Sequence, residues 1–486
     1  MVEAMTEVRA THTGTHLVPP EPGEAQPTDK LRPDQILMFA VVATALFMST
    51  LDQTIVATAL DSIQQGLDTT VTWVGWTITA YSLGMVMMLS LAGKLTQRYG
   101  PRRVFLASIT IFSVASLACG LVTQVEPLIA LRFIQAVGGA GFTPSATRIV
   151  VEHFGSHRDK AVGLFGSLFT SGAMIGPLAG GLIVSKLSWH WVFLVNVPLG
   201  LILIPLALWL IPSDRAIDRQ TSAPPEPLDL PGVTFLGVGL FGAMLALSMA
   251  GDRPQSWAAI ALVSTLVALG TLWQFTRHIQ KVAHPVIAPR LVWGQGFAAV
   301  NLINVFYAGC GMGLMALLPW YATTRYDIDA LGSGTLLAAE GVAAITLSTL
   351  GALMLRRTGY RRPLYVTAFF VVLGMIGLAL PASGFTPYVW LSIAAALIGI
   401  GLGVASPASR NAGLQLVPDQ AAPIAALRSS GLQVGSIAAV SIATTVISGA
   451  AEPAVAMAWV YASYAVLTIV VGLPAVRRIP EHHGSW

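Results

Sequence analysis

The sequence predicts an all-α membrane protein of fourteen spans, arranged as two repeated halves. Three observations predict it: the composition, the alternation of basic residues between successive loops, and an internal repeat. Apolar residues make up 54% of the chain and charged residues only 10%, with a mean hydropathy of +0.70. A soluble chain of 486 residues needs far more charge to cover its surface. A window of about 19 residues picks out spans near 35–60, 73–93, 104–122, 127–151, 160–186, 190–211, 232–250, 256–276, 295–322, 332–355, 363–381, 386–408, 422–449 and 454–475.

Loop charge orients these spans. The amino-terminal tail, the even-numbered connections and the carboxy-terminal tail hold 22 Lys and Arg, among them Arg98, Arg102, Arg103, Arg158, Lys160, Arg356, Arg357, Arg361 and Arg362. The odd-numbered connections hold three, Lys186, Arg253 and Arg325. The asymmetry predicts a multi-pass protein of the cytoplasmic membrane with both termini in the cytoplasm. It also assigns the basic pI of about 9.1 to membrane loops and not to nucleic acid. Trp73, Trp76, Trp320 and Tyr321 fall at outer span ends, where interfacial aromatics belong.

In chain order, residues 1–34 are polar and rich in Pro, Thr and Glu, which predicts a disordered cytoplasmic tail without a signal peptide. Residues 35–211 hold six spans, 212–294 a Pro-rich linker with two extra spans, 295–476 six more, and 477–486 a cytoplasmic tail. The two sets of six are related by repetition. Gln97-Arg98-Tyr99-Gly100-Pro101-Arg102-Arg103 after span 2 is echoed after span 10 by Arg356-Arg357-Thr358-Gly359-Tyr360-Arg361-Arg362, the glycines 259 residues apart. Gly138, Gly139 and Gly141 lead to Pro144 in span 4, as Gly399, Gly401 and Gly403 lead to Pro407 in span 12, with the prolines 263 residues apart.

Span 5 carries Gly172-Ala173-Met174-Ile175-Gly176-Pro177-Leu178-Ala179-Gly180-Gly181. In water, four glycines and a proline in ten residues would cost a helix several kcal/mol. In a bilayer the backbone bonds to itself, small residues let helices approach, and neighbouring helices repair the proline break. The run predicts a smooth-faced, kinked helix suited to sliding. Cys119 and Cys310 lie inside spans and read as packing residues, with no metal ligand set around them. His153, His157, His278 and His284 fall in cytoplasmic loops and read as solvated.

Four charges fall within spans, each costing a few kcal/mol or more unless paired or wet: Asp52, Arg132, Glu340 and Arg428. Asp52, Arg132 and Glu340 lie at outer-half depth, from about 1.5 Å of rise per residue. Asp52 and Arg132 are at depths that allow pairing, while Glu340 has no evident partner. Arg428, near the inner end of span 13, reads as a capping or snorkelling residue. Asn301, Asn304 and Tyr307 form one polar stripe, and Ser429, Gln433 and Ser436 another, either lining a central cavity or bonding helix to helix. Phe142, Phe169 and Met174 are candidates for an apolar wall, or for ordinary packing.

These motifs resemble the major facilitator superfamily, in particular its fourteen-helix drug/proton antiporter branch, over nearly everything after residue 35. Leu51-Asp52-Gln53-Thr54-Ile55-Val56 is similar to that branch's first-helix signature, Gly93-Lys94-Leu95 through Arg103 to the superfamily loop motif, and Leu131-Arg132-Phe133-Ile134-Gln135 to the helix-4 motif. The Gly172–Gly181 run is similar to the helix-5 antiporter motif, followed by Trp189-His190-Trp191-Val192-Phe193 and Asn196-Val197-Pro198. Three positions depart: Gln97 replaces the usual acid, Ala136 a glycine and His190 an arginine.

The resemblance implies the major facilitator fold, two six-helix halves plus two inserted central helices, and a role for each motif. From the residues themselves, Asp52, Glu340 and Arg132 are the candidates for proton coupling, and Gln135, Asn301, Asn304, Tyr307, Gln433, Phe142 and Met174 those for the substrate cavity. Gly93, Gln97, Arg98, Gly100 and Arg102, with Gly172, Gly176, Pro177, Gly180 and Gly181, would serve gating, Arg148 being a candidate partner for position 97. The expected function is proton-coupled export of lipophilic, cationic small molecules by rocking of the halves. The alternative is a dedicated exporter of one metabolite, lipid or antibiotic. An importing symporter fits the helix-5 run poorly, and a sensor would need an added soluble domain. The expected partners are small-molecule substrates, protons and the bilayer, without nucleic acid or nucleotide, for a monomeric non-enzyme. No Gly-x4-Gly-Lys-Ser/Thr loop is present, so the proton motive force is expected to supply the energy without a cofactor.

Overall fold

The computed structural model describes residues 32–214, 227–249, 255–283, 285–294, 296–416 and 421–479. Residues 1–31 of the tail expected to be disordered lie outside these residues, as do most of the Pro-rich connection and His284, whereas Pro33 and Asp34 already belong to the first helix. The first half comprises α1 (Pro33–Gly66), α2 (Val71–Tyr99), α3 (Pro101–Cys119), α4 (Val125–Ala140), α5 (Phe142–His153), α6 (Arg158–Lys186), α7 (Trp191–Leu194) and α8 (Asn196–Leu210). Two inserted helices come next, α9 (Leu230–Met249) and α10 (Gln255–Lys281). The second half comprises α11 (Pro289–Trp293), α12 (Phe297–Ile303), α13 (Gly311–Ala316), α14 (Leu318–Tyr326), α15 (Ala330–Thr358), α16 (Arg361–Ala379), α17 (Pro387–Leu416), α18 (Ala421–Ser448), α19 (Pro453–Leu467) and α20 (Leu473–Arg477).

Thirteen helical segments among the described residues are long and apolar enough to cross a membrane, and they match thirteen of the fourteen expected spans. The remaining one, the fifth, is α6, a continuous helix of 29 residues despite Pro177 in its interior. With α4 and α5 forming one span, the architecture is two six-helix halves plus two central helices. Among the described residues, successive spans alternate in direction, which sets the arginine-rich loops at one face of the bundle and the arginine-poor loops at the other.

Spans 9 and 14 are less regular than their apolar patterns suggest. Each contains a widened π turn, Asn304–Cys310 between α12 and α13 and Thr468–Gly472 between α19 and α20. Close backbone packing accompanies the first. A Cβ on Gly309 would lie 2.6 Å from the Leu432 carbonyl oxygen and 2.9 Å from Gly435 Cα of α18. The Tyr464 hydroxyl donates to the Phe306 carbonyl at 2.7 Å, capping a carbonyl of the widened turn.

The halves meet along two seams, α6 against α15 and α2 against α18, and α9 touches both α2 and α18. The arginine-poor end is sealed. Trp320 Nε1 of α14 donates to Gln64 Oε1 of α1 at 3.0 Å, the Trp189 indole fills the space in front of Gly66, and Thr72 Oγ1 donates to the Thr444 carbonyl at 3.3 Å. Trp320 and Tyr321 are therefore buried seal residues, not lipid-facing anchors; the Tyr321 hydroxyl donates to the Leu378 carbonyl at 2.8 Å. Trp76, too, is buried, against Phe241 of α9.

At the arginine-rich end, Asp229 ties the inserted pair to the segment that leads into α11. Its carboxylate accepts from Gly232 N–H and Val286 N–H, both at 2.9 Å, and lies 2.6 Å from His278 Nε2. Burial alone would raise the Asp229 carboxyl, but the His278 contact and the two N–H donors outweigh it and hold it below the usual carboxylate range. His278, expected to be merely solvated, is thus a clasp between α9 and α10.

Candidate functional site

Asp52 and Arg132 form a fully buried ion pair, with Arg132 Nη1 at 2.6 Å from Asp52 Oδ2. Helix geometry aims both inward: Asp52 stands on the inner face of α1, and Arg132, two turns into α4, points across α2 toward it. The rest of the cage satisfies them. Asp52 Oδ1 accepts from Gln135 Nε2 at 2.8 Å and from Asn196 Nδ2 at 2.9 Å. Gln135 also donates to Ser116 Oγ at 2.7 Å and accepts from Arg132 Nη1 at 2.6 Å. Arg132 Nε donates to the Thr77 carbonyl at 3.3 Å, and the guanidinium stands 4.2 Å from the Tyr81 ring centroid. Charges taken this far from water persist only when paired and hydrogen-bonded on every side.

Sequence reasoning brought Asp52 and Arg132 to compatible depths, and the structure joins them. It quoted Asn196 only as part of a motif, with no site role, and missed Ser116 and the Thr77 carbonyl. Asn196 is the first residue of α8, and an amide between two valines at the head of an apolar run was the available signal.

Glu340 is not part of this cage. It lies on α15 at the inter-half seam, half-buried, and among the described residues it has no ion pair or hydrogen bond. Its backbone packs on α17, where a Cβ at Gly399 would fall 3.0 Å from Glu340 Cα. The next residue, Gly341, faces Met174 of α6, with 3.4 Å from its would-be Cβ to Met174 Cα. A carboxylate and a flexible apolar side chain thus share one level between the halves.

The other expected cavity residues scatter. Asn301 Nδ2 donates to the Leu291 carbonyl at 2.8 Å, bonding helix to helix at α11. Asn304 and Tyr307 are buried in the π turn, with Asn304 Oδ1 and the Tyr307 hydroxyl lacking partners among the described residues. Gln433 is half-buried on α18. Phe142 belongs to the core of the first half: it is 0% exposed and packs on Phe105 and Phe112, with ring centroids 6.2 and 5.5 Å away. It therefore walls no open cavity in this conformation. The side chain of Phe169 lies outside those described.

The glycine run uses two faces of α6. Gly172, Gly176 and Gly180, spaced one turn apart, meet Thr50, Thr54 and Thr58, equally spaced on α1. A Cβ on Gly172 would fall 2.8 Å from Thr50 Cβ, and one on Gly180 2.7 Å from the Ile55 carbonyl oxygen. Pro177 and Gly181 face α15 instead. A Cβ on Gly181 would sit 2.6 Å from the Ala330 carbonyl oxygen, and Gly334 abuts the Pro177 carbonyl. One helix thus packs on its own half with one stripe and on the other half with another.

In the loop motif, Gly93 faces open space and Gln97 and Arg98 are exposed. Gly100 adopts φ +89°, a conformation only glycine takes without strain, and the turn is held by Asp214 just beyond α8. Asp214 accepts from the backbone N–H of Arg102 and of Arg103, both at 3.0 Å, at the start of α3. Arg102 Nη2 donates to the Leu208 carbonyl at 2.5 Å. Arg148 pairs with Glu152 one turn along α5 at 2.6 Å, so it is committed within its own helix rather than to position 97.

Two helix sets meeting on glycine-lined seams, with a buried ion pair in one and a bare carboxylate at the joint, define a multi-pass membrane transporter. The sequence profile described as the Major Facilitator Superfamily matches residues 42–440, and the chain belongs to that family. It is 29% identical over 374 residues to the multidrug transporter protein MdtP of Bacillus subtilis, covering 76% of this chain and 67% of that protein. It is 32% identical over 425 residues to the puromycin resistance protein of Streptomyces alboniger, covering 84% and 81%. Among solved structures, a D-xylose-proton symporter superposes with a TM-score of 0.64 at 12% identity over 92% of this chain and 98% of that one, a likeness of fold.

Proposed function

We propose that this protein is a proton-coupled exporter of lipophilic cations of several scaffolds, driven by the proton motive force without a cofactor. The observation that carries this reading is Glu340, a carboxylate at the seam of the halves with no cationic partner among the described residues. An acid in an apolar surround attracts a lipophilic cation through charge and burial together, with little demand on shape. The names of the two Bacillus and Streptomyces relatives, a multidrug transporter and an antibiotic resistance protein, support the same reading. The seal at the arginine-poor end fits a state that receives substrate from the opposite side. Opening that seal would admit protons to the Asp52 cage and to Glu340 and release the substrate outward.

Expression in a drug-sensitive host should raise resistance to several unrelated cationic dyes and biocides, measured as growth inhibition with and without a proton uncoupler. Protection against a single scaffold would favour the dedicated exporter, a reading that the puromycin-resistance relative keeps in view.

The arginine-rich face belongs in the cytoplasm, on the same reading, with the protein monomeric in the cytoplasmic membrane. In a variant lacking Cys119 and Cys310, an impermeant thiol reagent applied to intact cells should modify Asp252→Cys and spare Ser222→Cys. Strong labelling at 222 would reverse the orientation.

A further inference from the structure

Arg428 of α18 is half-buried against α17. Its Nη2 donates to Ser406 Oγ of α17 at 3.3 Å, and its Nε is buried with no hydrogen-bond partner among the described residues. No carboxylate among them pairs with it. A guanidinium in this position carries a desolvation cost that one long bond to a serine does not offset. Arg410 lies one helical turn beyond Ser406 on the same face of α17, adding a second positive charge instead of relieving the first.

We infer that Arg428, Ser406 and Arg410 form an anion subsite for the carboxylate or phosphate of an otherwise apolar ligand. The guanidinium fork accepts such a group through two parallel N–H donors, one of them the Nε that is now orphaned. The position of the subsite sets the ligand class. Along α17, Gly399 marks the level of Glu340 and Ser406 that of Arg428. Seven residues of helix separate the two levels by about 10 Å. A zwitterionic amphiphile with its charges roughly that far apart spans Glu340 and Arg428 with its apolar body between them. This extends the proposed function from simple cations to zwitterions, and rests on that reading for the role of Glu340.

The test uses the full-length protein in lipid nanodiscs and two xanthene dyes with the same cationic ring system, one bearing a free carboxylate and the other its methyl ester. Binding is read by fluorescence polarisation. Arg428→Gln should weaken the acid dye about tenfold or more and the ester by less than about twofold, with Arg428→Lys intermediate for the acid. Equal changes for both dyes, or none for either, would overturn the subsite. So would an acid-dye affinity that rises selectively in Asp419→Asn, because Asp419, the one acid between Arg410 and Glu452, would then be the resident counter-ion. Nanodiscs with and without anionic phospholipid separate the sources. Displacement of the acid dye by that lipid in the wild type, but not in Arg428→Gln, assigns the anion to a headgroup; undiminished affinity assigns it to a solute. A wild type that binds neither dye refutes the exporter reading. The subsite is then decided by whether anionic phospholipid binding is weaker in Arg428→Gln.

Discussion

Asp52→Asn should abolish efflux driven by a pH gradient while leaving substrate binding measurable. The amide preserves the shape of the cage and its contacts with Gln135 and Asn196, but it removes the charge opposite Arg132 and, on the proposed function, the group that exchanges a proton. Removing one member of a buried pair costs up to about 3–5 kcal/mol, so the variant should also melt lower. Part of that loss should return in Asp52→Asn/Arg132→Gln, which leaves no uncompensated charge, whereas proton coupling should not return. Paired measurements in proteoliposomes, efflux with and without a pH gradient alongside equilibrium binding, separate stability from coupling. Coupled efflux at near wild-type rate in Asp52→Asn would make the pair purely structural and leave Glu340 as the proton carrier.

The second large effect is expected at the joint. In Gly334→Leu the new side chain would enter the space of the Pro177 carbonyl, where α6 and α15 touch backbone to backbone. Overpacking of this kind costs about 1–3 kcal/mol and is charged only to the sealed conformation. The population should therefore shift about 5- to 150-fold toward a state open at the arginine-poor end. Spin labels at Asp68 and Thr324, both exposed near that end, should report longer distances, and efflux should fall because the seal no longer re-forms. A distance distribution identical to the wild type would mean that the halves do not close on this contact.

The spans were legible because a bilayer accepts so little: a helix there must be long and apolar, and charge must gather in the loops. The Asp52–Arg132 pair was legible for the same reason, since two intramembrane charges at one depth have few alternatives to each other. Neutral polar groups carry no such signature. Asn196 and Ser116 complete the cage, yet an isolated amide or hydroxyl is common enough in a bundle that neither was assigned a part in it. Trp320 and Tyr321 misled because an aromatic at a span end suits the lipid interface and an inter-helix seal equally well. Their burial depends on α1 and α16 arriving from elsewhere in the chain. For Phe142, offered as cavity wall or ordinary packing, the structure takes the second reading, since a large apolar side chain within a span suits a wall and a solid core equally well. The π turn of span 9 arises where glycines of α18 press on it, a matter of tertiary contact that span 9 does not itself encode.

The Asp214 contact has a consequence for how such chains lengthen. By Asp214 the first half has fastened its last helix back onto the entrance of α3, and Gln35 near the start of α1 donates to the His153 carbonyl at 2.8 Å at the same face. The chain leaves that half with both ends secured, and it re-enters the second half from the face it left. Anything spliced between residues 214 and 289 must begin and end on that face, so it can cross the bilayer only an even number of times. Two helices are the smallest membrane insertion that this parity permits, and α9 and α10 are two.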